Sequence, residues 1–144
     1  MWLIEHEARV TSVEDNTTWV EKVRDSCPQA DIRSIPGAAT GAIKSDWGGK
    51  IDASRPFYDD YVAAIDEFPD DSFDVVIVDG QCRSECFYRA IPKVRPGGML
   101  ILDDSDVRAF APLKQSLPGW VRVSLAGFKP TRDLRETTFF RRPS

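Results

Sequence analysis

Two kinds of apolar pattern run along this chain of 144 residues. In its middle, Val75-Val76-Ile77-Val78 and Met99-Leu100-Ile101-Leu102 are unbroken apolar runs, each closed by acid at Asp79 and Asp103-Asp104. Runs this short and rich in branched residues predict strands buried on both faces, as in a parallel sheet. Elsewhere the spacing is helical. Trp19, Val20, Val23 and Cys27 share one face, as do Phe57, Tyr61, Val62 and Ile65, and then Cys86, Phe87, Ala90 and Val94. Helices are therefore expected over about 18–27, from 57 onward and over 84–94, with another over 106–117. Thr18 and Glu21 fit a capping box, Pro28 ends the first helix, and Pro92 weakens the last turn of the third. Residues 9–13 and 30–35 read as weaker strands, and 120–125 with 136–140 as a closing antiparallel hairpin. Residues 2–7 read as the last turns of a helix. Strands alternating with helices predict an α/β fold in a single domain over residues 1–144.

Charge and composition narrow the function classes. The net charge is −4 and the basic residues are scattered apart from Arg141-Arg142, so no nucleic-acid footprint is present. No apolar run approaches the roughly 20 residues of a membrane span, and no secretory signal pattern opens the chain. The three cysteines have no framework spacing and are expected as reduced thiols, which suits a cytoplasmic protein; Cys82 and Cys86 stand four apart on one helix face. His6 is the only histidine and precedes the first strand, which argues against nucleophilic catalysis through histidine.

The candidate chemistry lies at the strand ends. In open α/β sheets, ligands bind beyond the carboxyl ends of the strands, where the strand order reverses. The first strand finishes at Glu14, the third at Asp79-Gly80 and the fourth at Asp103-Asp104. Glu14 can accept hydrogen bonds from both ribose hydroxyls of a nucleotide, or with Asp15 it can serve the start of the following helix. Asp79, Asp103 and Asp104 converge if their strands are neighbours; they then suit a hard cation such as Mg²⁺, a bound substrate or cofactor, or turn formation alone. No G-x-G-x-x-G occurs. The stretch "GAATGAIKS" has glycine, lysine and serine at the wrong spacing for a phosphate loop. It belongs to a long segment, 36–56, without clear period, expected as a long loop of the kind that is functional or disordered.

Taken together, "FDVVIVDG", the following helix, "RPGGMLILDD" and the terminal hairpin resemble class I S-adenosylmethionine-dependent methyltransferases from their fourth strand onward. "ARVTSVEDNTTWVEKVR" resembles their second strand, ribose-binding acid and following helix. The resemblance covers nearly the whole chain and implies a Rossmann-like, mostly parallel sheet with a C-terminal antiparallel hairpin. It implies S-adenosylmethionine as cofactor and a small-molecule methyl acceptor. Glu14 and Asp15 would then stand at the ribose, and Asp79 and Gly80 near the methionine end, with Asp79 the candidate catalytic residue. In the metal-dependent O-methyltransferase branch, acids at the positions of Asp79, Asp103 and Asp104 hold a divalent cation, which is the lesser alternative here. The acid that often follows the third strand is absent, since that strand ends at Ile35-Pro36-Gly37.

The front of the chain departs from the family. The first strand, glycine-rich turn and most of the first helix are missing, as in a reading frame truncated at an internal methionine. In the family order 3-2-1-4-5-7-6 that strand is central. Three outcomes are therefore expected alternatives: its neighbours close up, a partner chain or second copy covers the exposed sheet edge, or the chain is an inactive fragment. A non-catalytic interaction module, or one half of a split protein, is the competing function; a nicotinamide-dependent oxidoreductase is a third, which "RPGGMLILDD" and the hairpin disfavour.

Overall fold

The computed structural model describes residues 8–45, 54–129 and 133–144. The expected helix end at 2–7 and His6 lie outside the described residues. Strand β1 (Thr11–Glu14) leads into helix α1 (Thr17–Ser26) and strand β2 (Asp31–Ser34). Helix α2 (Asp59–Ala63) continues as a 3-10 turn over Ala64–Glu67 and precedes β3 (Phe73–Val78). Helix α3 (Arg83–Ala90) connects β3 to β4 (Val94–Leu102), and β5 (Val121–Phe128) with β6 (Leu134–Arg141) closes the chain.

The strands form two sheets. β1 and β2 pair in parallel, and the other four lie in the order β3-β4-β6-β5, with β3 parallel to β4 and the β5–β6 hairpin antiparallel. Among the described residues nothing pairs β1 with β3. Of the three alternatives for this edge, the closing of β1 against β3 is therefore not the one the described residues adopt.

Local chemistry accounts for several shifts in the boundaries. The N-cap of α1 is Asn16, not Thr18: its side chain accepts from the Trp19 amide at 3.2 Å, so the expected capping box does not form. No α-helix spans 106–117. Two 3-10 turns, Arg108–Phe110 and Leu113–Gln115, stand there instead, because Pro112 has no amide to continue a helical ladder. Pro92 likewise turns the end of α3 into a 3-10 turn at Ile91–Lys93, and Val94 already belongs to β4. Within β4, a Cβ on Gly98 would lie 2.9 Å from the carbonyl oxygens of Arg95 and Asp74, so only glycine fits that approach.

One face of the four-stranded sheet carries the core. Val78, Leu100, Leu102 and Phe140 meet Phe87 and Ala90 of α3, with Phe110 and Leu113 from the 3-10 turns. Phe87 and Phe140 pack edge to face at 5.3 Å between centroids. Among the described residues the opposite face is left largely uncovered. The ladder aligns Ile77, Ile101, Phe139 and Val123 in one row across all four strands, and Val75, Met99, Arg141 and Val121 in the next. Ile77 is 52% exposed, Val123 51% and Val121 65%. The expectation that β3 is buried on both faces is thus corrected: its sequence asks for two covers and the described residues supply one.

Candidate functional site

Every acid singled out from the sequence stands at the carboxyl ends of β1, β3 and β4. The Glu14 carboxylate accepts from the Asn16 amide at 2.9 Å, a local bond that orients it at the end of β1. Asp15 reaches across the gap between the sheets. Its Oδ2 accepts from the Tyr58 hydroxyl at 3.3 Å and from Gln81 Nε2 at 3.2 Å. Burial, with the Asp15 carboxylate, pushes the Tyr58 phenol up, so Tyr58 remains a donor at neutral pH. Gly80 packs under Tyr61: a Cβ there would lie 2.0 Å from the Tyr61 hydroxyl oxygen. The Tyr61 phenol is also pushed up, chiefly by burial.

The phosphate-loop resemblance of "GAATGAIKS" is answered by Asp59. Its carboxylate accepts from the amides of Ala42 (3.0 and 3.1 Å) and Ile43 (3.1 Å), which hold it below the usual carboxylate range. Amides that a phosphate would need are already engaged by a carboxylate.

Asp79, Asp103 and Asp104 do converge, with one carboxylate oxygen of each within 4.8 Å of the others. Two cations that sequence reasoning missed organise them. Arg83, with its side chain 5% exposed, sits in the first turn of α3. It donates to the carbonyls of Asp103 (2.6 Å), Gly80 (3.2 Å) and Asp79 (3.4 Å), and pairs with Asp79 Oδ1 at 3.1 Å and Asp104 Oδ2 at 3.4 Å. One guanidinium thus ties the loop after β3 to the loop after β4. Both loops are strained at residues beside it: Cys82 holds φ +48° and Asp104 φ +49°, left-handed conformations rare outside glycine. Lys129, just past β5, places Nζ 2.6 Å from Asp104 Oδ1 and 3.4 Å from Asp103 Oδ2. The i,i+4 spacing of Asp79 and Arg83 was the only sequence signal for the first; nothing local marks the second.

This arrangement separates the protonation of two neighbouring acids. Partial desolvation and the facing Asp103 carboxylate push the Asp79 carboxyl up to about 6, against the pull of Arg83. Burial also works against ionised Asp103, but the Thr137 hydroxyl at 2.5 Å, the bond with Asp79 and the Lys129 charge outweigh it and hold Asp103 low. The pair therefore keeps its last proton on Asp79. An acid whose folded value lies above its unfolded value of about 3.9 stabilises the fold only at low pH, and this contribution is lost as pH rises through about 6. Asp79→Asn is accordingly expected to raise the melting temperature relative to wild type above pH 6, by an increment that disappears toward pH 4. Melts of both proteins across that range check it, and an increment independent of pH would contradict the Asp79–Asp103 coupling.

The donor chemistry can be tested against the two groups the resemblance implied. S-adenosylmethionine presents ribose hydroxyls, an ammonium and a sulfonium, and Glu14, Asp15 and Asp79 are acceptors or anions of the matching kinds. A divalent cation does not fit the acidic cluster as folded, because Arg83 and Lys129 already neutralise its carboxylates. A pocket of about 350 Å³ opens beside the cluster, lined by Asp103, Leu125, Phe128, Lys129, Thr137 and Phe139 among others. A larger hollow of about 580 Å³ follows α1 from Trp19 to Cys27 and shares no residue with it. None of the three cysteines is in a disulfide, and Cys27 and Cys82 are buried.

No protein-family model and no curated protein matches the chain. Solved structures do. An O-methyltransferase from Bacillus cereus in complex with S-adenosylhomocysteine is 14% identical with a TM-score of 0.64, matching 93% of this chain and 62% of that one. The O-methyltransferase TomG from Streptomyces achromogenes, involved in tomaymycin synthesis and solved with S-adenosylmethionine, is 14% identical with a TM-score of 0.62, over 96% and 63%. A methyltransferase from Geobacter sulfurreducens is 10% identical with a TM-score of 0.60, over 95% and 59%. The chain thus spans about three fifths of the length of the structures it matches. Both observed strand orders, β2-β1 and β3-β4-β6-β5, are segments of the order 3-2-1-4-5-7-6. The protein has the class I S-adenosylmethionine-dependent methyltransferase fold.

Proposed function

We propose that this chain is the larger part of an S-adenosylmethionine-dependent methyltransferase acting on a small-molecule acceptor, and that it needs a further covering element to hold the cofactor well. One observation carries the proposal. The acids of β1 and β3 stand at the carboxyl ends of the strands that flank the reversal of strand order, and the Asp15–Gln81 contact joins the two strand tips. When bound, S-adenosylmethionine supplies an electrophilic methyl group. Glu14 accepts from the ribose hydroxyls. Asp15 is held in place by Tyr58 and Gln81. Asp79, pushed up to about 6, lies near the operating pH of a general base and takes the proton of an acceptor hydroxyl. Small-molecule acceptors suit the scattered basic residues, which form no surface for a phosphate backbone. A cytoplasmic setting suits three cysteines that form no disulfide. Among the described residues no helix is long and apolar enough to cross a membrane.

Titration calorimetry with S-adenosylmethionine tests the reading. Glu14→Ala is expected to weaken binding by about 10-fold or more, the loss of hydrogen bonds to a charged acceptor. Unchanged affinity removes Glu14 from the ribose. Absence of binding heat at millimolar cofactor removes catalysis by the chain alone.

That second result would favour the alternative of a non-catalytic interaction module or one half of a split protein. The largely uncovered face of the four-stranded sheet supports this alternative, because an apolar surface continuous over four strands belongs in an interface.

A further inference from the structure

We propose that Lys129 is the resident cation of the strand-tip cluster: its ammonium takes the place a divalent ion would need among Asp79, Asp103 and Asp104, and the site works without metal. Four observations converge on this role. First, the lysine reaches the cluster from a fixed base. The β5–β6 ladder runs to the Phe128–Leu134 pair, and the Lys129 amide donates to the Asp133 carbonyl at 3.0 Å, so the hairpin closes directly behind it. Second, its Nζ pairs with two of the three converging acids, 2.6 Å from Asp104 Oδ1 and 3.4 Å from Asp103 Oδ2. Third, the charges balance. Arg83 serves Asp79 and the other oxygen of Asp104, Lys129 serves Asp103 and Asp104, and Arg135 Nε stands 3.9 Å from Asp104 Oδ1. A divalent ion added to this set would meet an ammonium within a few ångströms.

The fourth observation is the state of Asp104 itself. Its side chain is 5% exposed, and Oδ1 is buried without a well-aligned hydrogen bond, so the Lys129 ion pair is its main compensation. With that ammonium removed, Asp104 Oδ1 keeps only Arg135 Nε at 3.9 Å while Arg83 stays on Oδ2 and on Asp79, so Asp103 and Asp104 each regain a carboxylate oxygen without a close cation. That is the donor set of a hard-cation site. Lys129 therefore decides whether the cluster takes metal. This inference is independent of the cofactor reading, and its test needs no S-adenosylmethionine.

The experiment is Mn²⁺ titration of the full chain, following free Mn²⁺ by electron paramagnetic resonance and bound Mn²⁺ by water-proton relaxation. Wild type and Lys129→Arg are expected to leave millimolar Mn²⁺ free. Lys129→Met is expected to take up one ion per chain, on the order of 100-fold more tightly than wild type, because a like charge next to the ion is gone. Adding Asp103→Asn to Lys129→Met is expected to abolish the uptake. Lys129→Gln replaces the methionine variant if circular dichroism shows the latter unfolded. A folded variant without Lys129 that takes up no Mn²⁺ overturns the proposal. So does one-site uptake by wild type as tight as the variant's, whatever the variants do.

Discussion

Arg83→Met is expected to destabilise the fold by about 3–5 kcal/mol, the loss typical of breaking a buried ion pair from one side. For a domain of this size that is a fall in melting temperature of roughly 10 °C or more. The magnitude follows from what Arg83 leaves behind. The carbonyls of Asp79, Gly80 and Asp103 lose a shared donor, and Asp104, 4% exposed, keeps a carboxylate oxygen without its guanidinium partner. The two left-handed residues, Cys82 and Asp104, also lose the group that holds their loops together. Asp104→Asn in the same chain is expected to restore part of the stability, since it removes the unpaired charge and asparagine tolerates the left-handed backbone. Thermal melts of the wild type and of the single and double variants measure both effects. A single variant that melts with the wild type would show that Arg83 does not bind the loops together.

The second large effect concerns association. The chain alone is expected to self-associate through the uncovered face of the four-stranded sheet, and Ile77→Lys with Val123→Lys to return it to monomer. Four strands about 4.8 Å apart present a patch of a few hundred Å², the size at which exposed apolar surface marks an interface. Ile77 and Val123 lie in one cross-strand row, at 52% and 51% exposure. On a free surface such substitutions change stability by about 0.5 kcal/mol or less. In a covered apolar interface, two unpaired ammonium groups are expected to weaken association by about 100-fold or more. Sedimentation velocity over a concentration series, with an apolar dye as reporter, distinguishes the two. A wild-type chain that stays monomeric and binds no dye would show that residues outside the described ones already cover this face.

Much of the fold was legible because its signals are local. The unbroken runs of β3 and β4, each followed by acid, announced parallel strands and the edge where ligands bind. The acids Glu14, Asp15, Asp79, Asp103 and Asp104 stand at that edge as expected. Where local chemistry competes, the expectation slipped. Asn16 reached the Trp19 amide before Thr18 offered a cap, and Pro112 replaced an α-helix with two short turns. Both are contests between neighbouring residues, which spacing alone does not settle.

By itself, then, the order of residues determined the α/β class, the strands and the acidic edge, since side-chain periodicity and strand-end acids are properties of contiguous segments. Tertiary structure alone decided which charges those acids meet. Arg83 reaches Asp104 across 21 positions, and Lys129 returns to Asp103 across 26, distances at which no periodic pattern carries information. It also decided that the described residues leave one face of the sheet largely uncovered. A continuous apolar run states that a strand needs two covers; only the packed chain shows how many of them its own described residues provide.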